Sequence, residues 1–200
     1  VNCPDYGVPQ HRRRLVLLAS RFGKIDLIPP LYDEEHYITV RDAIGHLQPI
    51  EAGEICINDS LHRSSALSEI NMERIRQSVP GGTWRDWDEN LKLRCQRKAS
   101  GATFPSVYGR MEWDRPSPTM TTQFYGYGNG RFGHPEQDRA ISLREGAILQ
   151  SFPEDYIFAD EQHPVKKREL GTHIGNAVPV ELGRAIGISI QEHLKEMEVN

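Results

Sequence analysis

The sequence lacks the features that mark membrane proteins and zinc-binding proteins. Its longest uninterrupted apolar stretch runs only from Leu15 to Ala19, whereas a membrane-spanning helix needs about 20 such residues. Only three cysteines are present, Cys3, Cys56 and Cys95, and none belongs to a Cys-x-x-Cys pair. We therefore expect a cytoplasmic protein without a membrane span and without a metal site. Because position 1 is not methionine, we also expect the chain to be part of a longer reading frame.

An excess of positive charge is missing as well. The chain has 24 Lys and Arg against 28 Asp and Glu, a net charge of -4. Proteins that coat nucleic acids usually carry a basic excess, so this class is disfavoured, although local basic patches are still compatible with DNA binding. Two such patches exist: Arg12 to Arg14 are consecutive, and a second group comprises Lys92, Arg94, Arg97 and Lys98. The second is typical of a solvated face, and phosphate contact is the alternative.

The apolar run from Arg14 to Ala19 has no period-two alternation. Such a run is typical of a strand that is buried on both faces of a parallel sheet. We therefore predict a central strand and an α/β fold.

Helix start signals are clear at three positions. Thr39, Ser68 and Ser142 are predicted N-caps, and Ser142 with Glu145 forms a full capping box. The helix after Ser68 should end before Pro80, and a last helix should begin after Val178-Pro179. Within that last helix we expect one apolar face and close packing at Gly183 and Gly187. The face should carry Leu182, Ile186, either Ser189 or Ile190, Leu194 and Met197.

The region from Thr83 to about Arg139 has no sustained helical period, so irregular structure with short strands is predicted. Gly128-Asn-Gly130-Arg-Phe-Gly133 matches the dinucleotide-binding pattern literally. However, no apolar strand precedes it and His134-Pro135 follows where a helix should begin, so we interpret it as a structural or DNA-facing loop.

Four blocks of sequence resemble one family in the family's own order. The stretch from Asp5 to Arg14, with Gln10-x-Arg12-x-Arg14, resembles motif VIII of DNA cytosine-5 methyltransferases. Arg115-Pro-Ser-Pro-Thr-Met-Thr-Thr resembles the end of that family's target recognition domain. The segments 130–139 and 142–153 resemble motif IX and its lead-in, and 174–179 resembles motif X.

The resemblance implies roles for particular residues. Arg14 would contact the flipped cytosine or the catalytic groups beside it, Arg12 the adjacent phosphate, and Gln10 would brace the turn. Thr119 would meet a phosphate, and we place Thr121 and Arg131 with it among the DNA-binding residues. Asn176, Ala177 and Val178 would form part of the S-adenosylmethionine pocket. Arg144 and Glu145 are expected to be structural.

The residues that begin the family's chemistry are not found here. The family attacks carbon 6 of cytosine with a cysteine that follows proline, assisted by a glutamate in Glu-Asn-Val, and neither element occurs. Cys3 precedes its proline and is not expected to be the nucleophile. The resemblance therefore implies a C-terminal portion that is inactive alone, in an enzyme that flips a cytosine and methylates its carbon 5. A non-catalytic DNA-binding module or specificity subunit is the alternative, and a folded remnant with neither function is a third.

The resemblance also divides the chain. Residues 1–28 would be a catalytic-domain strand with motif VIII, 29–139 the target recognition domain, and 140–200 helices that return to a partial Rossmann-like catalytic domain. Expected partners are double-stranded DNA and the N-terminal half of the enzyme. Because part of the sheet would be missing, we expect apolar surface around Leu15 to Leu18 and on the last helix, through which copies could dimerise.

Overall fold

The computed structural model describes residues 1–160 and 162–198. The α-helices of this part of the chain are α1 (Val40–Ile44), α2 (Glu69–Gln77), α3 (Leu143–Leu149), α4 (Lys167–Asn176) and α5 (Val180–Glu198). Short 3-10 helices cover Cys3–Tyr6, Trp84–Asp86, Glu89–Leu91, Ala99–Thr103 and Tyr127–Asn129. Within the described ranges, β pairing is limited to isolated bridges.

The predicted helix starts at Thr39, Ser68 and Ser142 are confirmed. The side chains of Thr39 and Ser142 cap α1 and α3, and each is part of a complete capping box. Ser68 precedes α2, which ends at Gln77, before the predicted stop at Pro80. The starts of α1 and α3 are set by hydrogen bonds within three residues, which is why the sequence alone specified them. The Ser68 side chain makes no capping hydrogen bond to α2.

The prediction of a buried central strand from Arg14 to Ala19 is wrong for this chain. Leu15 is 95% exposed and Leu17 is 87% exposed. Strands are held by hydrogen bonds to neighbouring strands, and no described residue pairs with the backbone of 15–19. The predicted short strands between 83 and 139 likewise reduce to bridges such as Pro80 with Arg110 and Arg110 with Gly133.

Helix α4 was not predicted, because no capping side chain marks its start at Lys166. Its position depends on packing against residues 121–125. A Cβ atom added at Gly171 would lie 2.2 Å from the ring of Tyr125, and one added at Gly175 would lie 2.3 Å from the carbonyl oxygen of Thr121. Two glycines one turn apart therefore let the helix backbone approach this segment closely.

Three groups of buried side chains hold the chain together. The largest joins α1, α3 and α4 to Met111, Met120, Phe124 and Phe132. A second lies within 67–140 and contains Ile75, Trp84, Trp87 and Tyr127. The third packs Cys3, Tyr6 and Val8 against Leu182 and Ala185 of α5. The N-terminal segment and the last helix, which are far apart in sequence, thus share one core.

Helix α5 begins directly after Pro179, as predicted, and its buried face agrees with the predicted one only at Leu182 and at the Ser189 alternative. Leu182, Ala185 and Ser189 are buried, whereas Ile190, Leu194 and Met197 are exposed. None of the described residues packs closely against Gly183 or Gly187, because a Cβ atom added at either would meet nothing within 4 Å. The expectation of exposed apolar surface near Leu15 and on α5 is therefore confirmed. In the described part of the chain, none of the helices combines the length and apolar character needed to cross a membrane.

Candidate functional site

A pairing of the first residues with 12–14 shapes the segment that carries Gln10, Arg12 and Arg14. The Cys3 amide donates to the Arg12 carbonyl at 2.8 Å, and the Arg14 amide donates to the Val1 carbonyl at 2.9 Å. Antiparallel pairing of this kind directs successive side chains to opposite faces. Arg12 accordingly points into the protein and Arg13 is exposed. Arg14, the last residue of the paired segment, is exposed as well, which alternation does not explain.

The side chain of Gln10 is completely buried and bridges three segments of the chain. Its Nε2 donates to the Leu149 carbonyl at 3.1 Å and to Gln150 Oε1 at 2.9 Å. Its Oε1 accepts from the Met120 amide at 2.8 Å and from Arg12 Nη1 at 3.3 Å. Gln10 thus braces more than its own turn, since it joins the N-terminal segment to residue 120 and to the end of α3.

Arg12 is almost completely buried, and its charge is held by backbone carbonyls. Nη1 donates to the Met120 carbonyl at 3.1 Å and Nη2 to the Gly175 carbonyl at 3.3 Å. Nε is buried without a hydrogen-bond partner among the described residues. Burial lowers the pKa of the Arg12 guanidinium, and the charge of Arg14 lowers that pKa further. Arg12 also lines a cleft of about 460 Å³ with Arg13, His11 and Thr119.

Thr119 and Arg14 lie on two different clefts. Thr119 is exposed in the polar cleft that Arg12 lines, and its hydroxyl donates to the His11 carbonyl at 2.5 Å. Arg14 borders an apolar cleft of about 250 Å³ whose other wall contains Val178. The predicted DNA-binding and cofactor-binding residues therefore adjoin each other around the buried Gln10 and Arg12.

The predicted cofactor residues form the connection between α4 and α5. Asn176 ends α4 and is exposed, Ala177 is half-buried, and Val178 is 63% exposed. Thr121 lies close by, since its carbonyl faces Gly175 of α4. Arg131 lies elsewhere, with its side chain against Gly109 in the irregular region. The fold thus gathers every predicted site residue except Arg131 around one end of α4.

A buried ionic cluster supports this arrangement from the other end of α3. Both terminal nitrogens of Arg139 donate to the Glu145 carboxylate at 2.7 Å, and both side chains are almost fully buried. Burial alone would raise the pKa of Glu145, but the hydrogen bonds and charge of Arg139 outweigh it and lower the pKa to about 2. Glu145 also accepts from the Ser142 amide, so one carboxylate closes the capping box and neutralises Arg139. Arg144 pairs with Asp59. Glu145 and Arg144 thus form ion pairs within the fold, which agrees with the structural role expected for them.

His134 lies beside this cluster and is held neutral by burial. Its Nδ1 accepts from the amides of Glu136 and Gln137, and the ring packs edge-on against Trp113. Burial lowers the pKa of His134 to about 4 although Glu145 opposes the shift. In the unfolded chain its pKa is about 6.5, so the unfolded state takes up a proton first as the pH falls. The free energy of unfolding should therefore decrease between about pH 6.5 and pH 4.

We expect this titration to cost about 2 kcal/mol between about pH 7 and pH 5. His134→Asn should reduce that pH dependence, because its Oδ1 can accept the two backbone amides without titrating. Denaturant unfolding at both pH values measures the difference. His163→Asn is the control, since His163 is exposed and hydrogen-bonded only locally. If His134→Asn kept the pH dependence of the unsubstituted chain, His134 would not be its source.

Cys3 is not placed as a nucleophile. Its side chain is completely buried in the core beneath α5, and burial raises the pKa of its thiol despite the nearby arginines. A protonated, enclosed thiol is a poor nucleophile. In the described ranges, no group of three His, Cys, Asp or Glu side chains is arranged to hold a metal ion.

Gln150 has a central position in the site, and the sequence did not reveal its contacts. It is completely buried, and its side chain contacts both Gln10 and the end of α4. Its partners are 140 and 24 residues away in sequence. Local spacing carries no signal for such contacts, so only the folded arrangement reveals them.

Comparison with known proteins shows which family the chain resembles. Residues 1–192 match the family model of C-5 cytosine-specific DNA methylase. The chain is 57% identical over 195 residues to Type II methylase M.HgiDII of Herpetosiphon aurantiacus, covering 98% of this chain and 55% of the relative. It is 42% identical over 190 residues to Type II methyltransferase M1.BsuMI of Bacillus subtilis, covering 94% and 42% respectively. The chain therefore spans about half the length of these curated relatives.

A solved structure shares the fold. It is described as a candidate DNA modification methyltransferase encoded within a prophage in E. coli, and it matches with a TM-score of 0.63 at 20% sequence identity. The match covers 98% of this chain and 59% of the other. The similarity extends over almost the entire chain, including the regions that have no regular secondary structure.

Proposed function

The chain belongs to the C-5 cytosine-specific DNA methylase family, and from this premise we propose that it is the DNA-recognising, C-terminal portion of a DNA (cytosine-5) methyltransferase. Residues 29–139 would be the target recognition domain, and 1–28 and 140–200 would belong to the catalytic domain. The cysteine nucleophile would come from the N-terminal portion. The 200-residue chain would supply the arginines, the recognition surface and one wall of the cofactor pocket.

The observation that carries the proposal is the buried hydrogen-bond network centred on Gln10. It joins the segments that resemble motif VIII, the end of the recognition domain, motif IX and motif X, through Arg12, Met120, Gln150 and Gly175. A module that only bound DNA would have little need to fix the proposed cofactor-binding residues, Asn176 to Val178, relative to Arg12 and Arg14. The retained network therefore favours the enzyme over the binding module.

The residues of the α4–α5 connection fit one side of S-adenosylmethionine, which would supply the methyl group for carbon 5 of cytosine. Asn176 offers an exposed carboxamide for hydrogen bonding, and Val178 offers exposed methyl groups. Arg14 lies across the apolar cleft from Val178. This chain would thus hold the cofactor at one edge and orient the flipped base with Arg14, while Arg12 stays fixed by the carbonyls of Met120 and Gly175.

Reconstitution tests the proposal. The 200-residue chain is mixed with the N-terminal portion of the Herpetosiphon relative, and transfer of labelled methyl from S-adenosylmethionine to cytosine in double-stranded DNA is measured. We expect transfer by the mixture and none by either part alone. A well-folded mixture that binds DNA sequence-specifically without methyl transfer would contradict the enzyme and support the binding module.

Arg14→Ala separates a role in turnover from simple anchoring of phosphate. Because Arg14 is exposed beside the proposed cofactor wall, its loss should lower kcat at least about tenfold and change DNA affinity much less. Gel-shift titration and single-turnover kinetics on the reconstituted enzyme measure the two effects. Arg21→Ala, which removes an exposed charge that borders neither cleft, should change neither quantity. Equal losses of kcat and affinity for Arg14→Ala would make it only a phosphate anchor.

The exposed apolar face defines where the N-terminal portion would dock. We define this face by Leu15, Leu17, Val178, Gly183 and Gly187. Its leucines and Val178 are at least 63% exposed, and both glycines face open space. Exposed apolar residues on adjoining segments mark an interaction surface. The missing half of the relatives' length supplies a candidate occupant, and dimerisation through the same face is the expected behaviour of the chain alone.

Gly183→Ala tests whether the exposed apolar face is covered by the N-terminal portion in the complex. In the isolated chain, at a concentration low enough to keep it monomeric, the added methyl meets nothing within 4 Å, and replacing a helical glycine by alanine should stabilise folding by roughly 0.5–1 kcal/mol. In the reconstituted complex the same methyl should weaken association with the N-terminal portion. Thermal unfolding and equilibrium sedimentation measure the two effects. Unchanged association would place the docking surface elsewhere.

A further inference from the structure

Gln150 forms hydrogen bonds at both ends of the connection between α4 and α5. The last carbonyls of a helix lack intrahelical donors. At the end of α4, Gln150 Nε2 donates to the carbonyls of Ile174 at 2.7 Å and Gly175 at 3.3 Å. The end of α4 is therefore held in part by the side chain of the residue that follows α3.

The beginning of α5 is held by the same short segment. The Val180 amide donates to the Gln150 carbonyl at 3.3 Å, and the Glu181 amide donates to the Ser151 hydroxyl at 3.1 Å. The residue before α5 is Pro179, whose side chain has no hydrogen-bond acceptor. Gln150 and Ser151 therefore supply the acceptors for the first amides of α5. Gln150 is itself fixed at the end of α3, where its amide donates to the carbonyls of Gly146 and Ala147.

A third contact ties Gln150 to the arginine segment. Gln150 Oε1 accepts from Gln10 Nε2 at 2.9 Å, and Gln10 in turn accepts from Arg12. Arg12 Nη2 returns to the Gly175 carbonyl, which Gln150 also contacts. The side chain amide therefore closes a ring of hydrogen bonds through Gln10, Arg12 and α4.

We propose that Gln150 is a positioning residue that fixes the Asn176–Pro179 connection against Gln10 and Arg12 and thereby sets the affinity for S-adenosylmethionine. The inference rests on the proposed function, because it assumes that Asn176 to Val178 form a wall of that pocket. Gln150 is completely buried in this chain, so it would act on the cofactor only through the residues it holds. It acts by holding the end of α4 and the start of α5 on either side of residues 177–179, so that the binding groups are arranged before the cofactor arrives.

Gln150→Met keeps the length of the side chain but removes its donor and acceptor. The carbonyls of Ile174 and Gly175 each lose one donor and keep only the Ala177 amide and Arg12 Nη2 respectively, so the connection is held less firmly. We expect the dissociation constant for S-adenosylmethionine to rise about tenfold, the factor that corresponds to about one lost buried hydrogen bond. DNA affinity should change much less, because the recognition region keeps its own contacts.

Gln150→Glu provides a conservative rescue. A carboxyl buried against two carbonyls should have a raised pKa, and its protonated form can donate to Ile174 while accepting from Gln10. As the pH is lowered from about 8 to about 6, cofactor affinity of Gln150→Glu should recover toward that of the unsubstituted complex. Gln150→Met should show no such recovery, since its side chain does not titrate.

The control is another buried polar residue, remote from the α4–α5 connection. Ser78 accepts from Trp87 Nε1 at 2.9 Å and contacts the Tyr127 hydroxyl at 2.8 Å. Ser78→Ala should therefore lose stability as Gln150→Met does, yet leave the affinity for S-adenosylmethionine unchanged.

The experiment measures S-adenosylmethionine binding by calorimetry and DNA binding by fluorescence, on the complex of this chain with the N-terminal portion of the Herpetosiphon relative. An unsubstituted complex that binds no cofactor would overturn the proposed function and the inference with it. If the unsubstituted complex binds and Gln150→Met binds equally well, only the inference is overturned. It is also overturned if Ser78→Ala weakens cofactor binding as much, or if Gln150→Glu shows no recovery at lower pH.

Discussion

Arg139→Met is expected to destabilise the chain by about 3–5 kcal/mol, because it leaves the Glu145 carboxylate buried without its partner. Arg139 and Glu145 are each about 1% exposed and joined by two hydrogen bonds of 2.7 Å. Arg139 Nε also donates to the Ile50 carbonyl at 3.0 Å, so the substitution frees a second buried acceptor. Urea unfolding monitored by tryptophan fluorescence measures the loss.

Two comparisons show whether an unpaired charge causes this loss. The double variant Arg139→Met with Glu145→Gln should recover part of the stability, because a neutral amide can still accept from the Ser142 amide. Arg76→Met breaks an ion pair at 3.5 Å whose arginine side chain is 64% exposed, and such surface pairs contribute at most about 1 kcal/mol. If Arg139→Met lowered the free energy of unfolding no more than Arg76→Met does, the buried pair of Arg139 and Glu145 would not contribute as expected.

The pH dependence of the Arg139→Met variant supplies an independent check. Without Arg139, the pKa of Glu145 should rise above its unfolded value of about 4.5, since burial then dominates. A raised carboxyl pKa means that the folded state binds the proton more tightly, so the variant regains stability as the pH falls. The gap in unfolding free energy between the unsubstituted chain and Arg139→Met should therefore narrow from about pH 8 to about pH 5.

Gly175→Ala is expected to destabilise the chain by roughly 1–3 kcal/mol through overpacking. The added methyl would lie 2.3 Å from the Thr121 carbonyl oxygen and 2.7 Å from its carbonyl carbon. Both are backbone atoms that cannot rotate away as a flexible side chain could. The helix must therefore move off residues 121–125, which also disturbs the contacts of Arg12 and Gln150 with Gly175.

Gly183→Ala is the matched control, because it makes the same chemical change within a helix at a position with open space around it. Thermal unfolding of the two variants should move in opposite directions, with Gly175→Ala below the unsubstituted chain and Gly183→Ala above it. If both variants were stabilised, α4 would not contact Thr121 as closely as the structure places it.

The helices show which parts of the fold were predictable. The N-caps of α1 and α3 lie within three residues of the groups they bond, so the sequence specifies them wherever the chain goes. Helix α4 has no such local signal, and its position depends on the contact of two glycines with residues 121–125. The strand predicted at 14–19 failed for a related reason. Its apolar composition was correct for a buried strand, but strand formation needs a neighbour that the described residues do not supply.

The candidate site divides in the same way. The family was recognisable from short blocks such as Gln10-x-Arg12-x-Arg14 and Ile174 to Pro179, because each is contiguous in sequence. The roles assigned to individual residues within those blocks stay predictions. Gln150 was recognised only as part of a block, since its partners Gln10 and Ile174 are distant in sequence.

The sequence by itself determined the family, the helix caps and the types of residue at the site, since these depend on neighbours a few positions apart. Only the tertiary structure decided which arginine is buried and which is exposed, and that Gln150 joins the arginine segment to the α4–α5 connection. It also decided that Ser189 and not Ile190 lies on the buried face of α5, together with Ala185. The physical reason is that burial and long-range hydrogen bonds depend on which segments meet, and alternating or helical periodicity does not encode the identity of the partner.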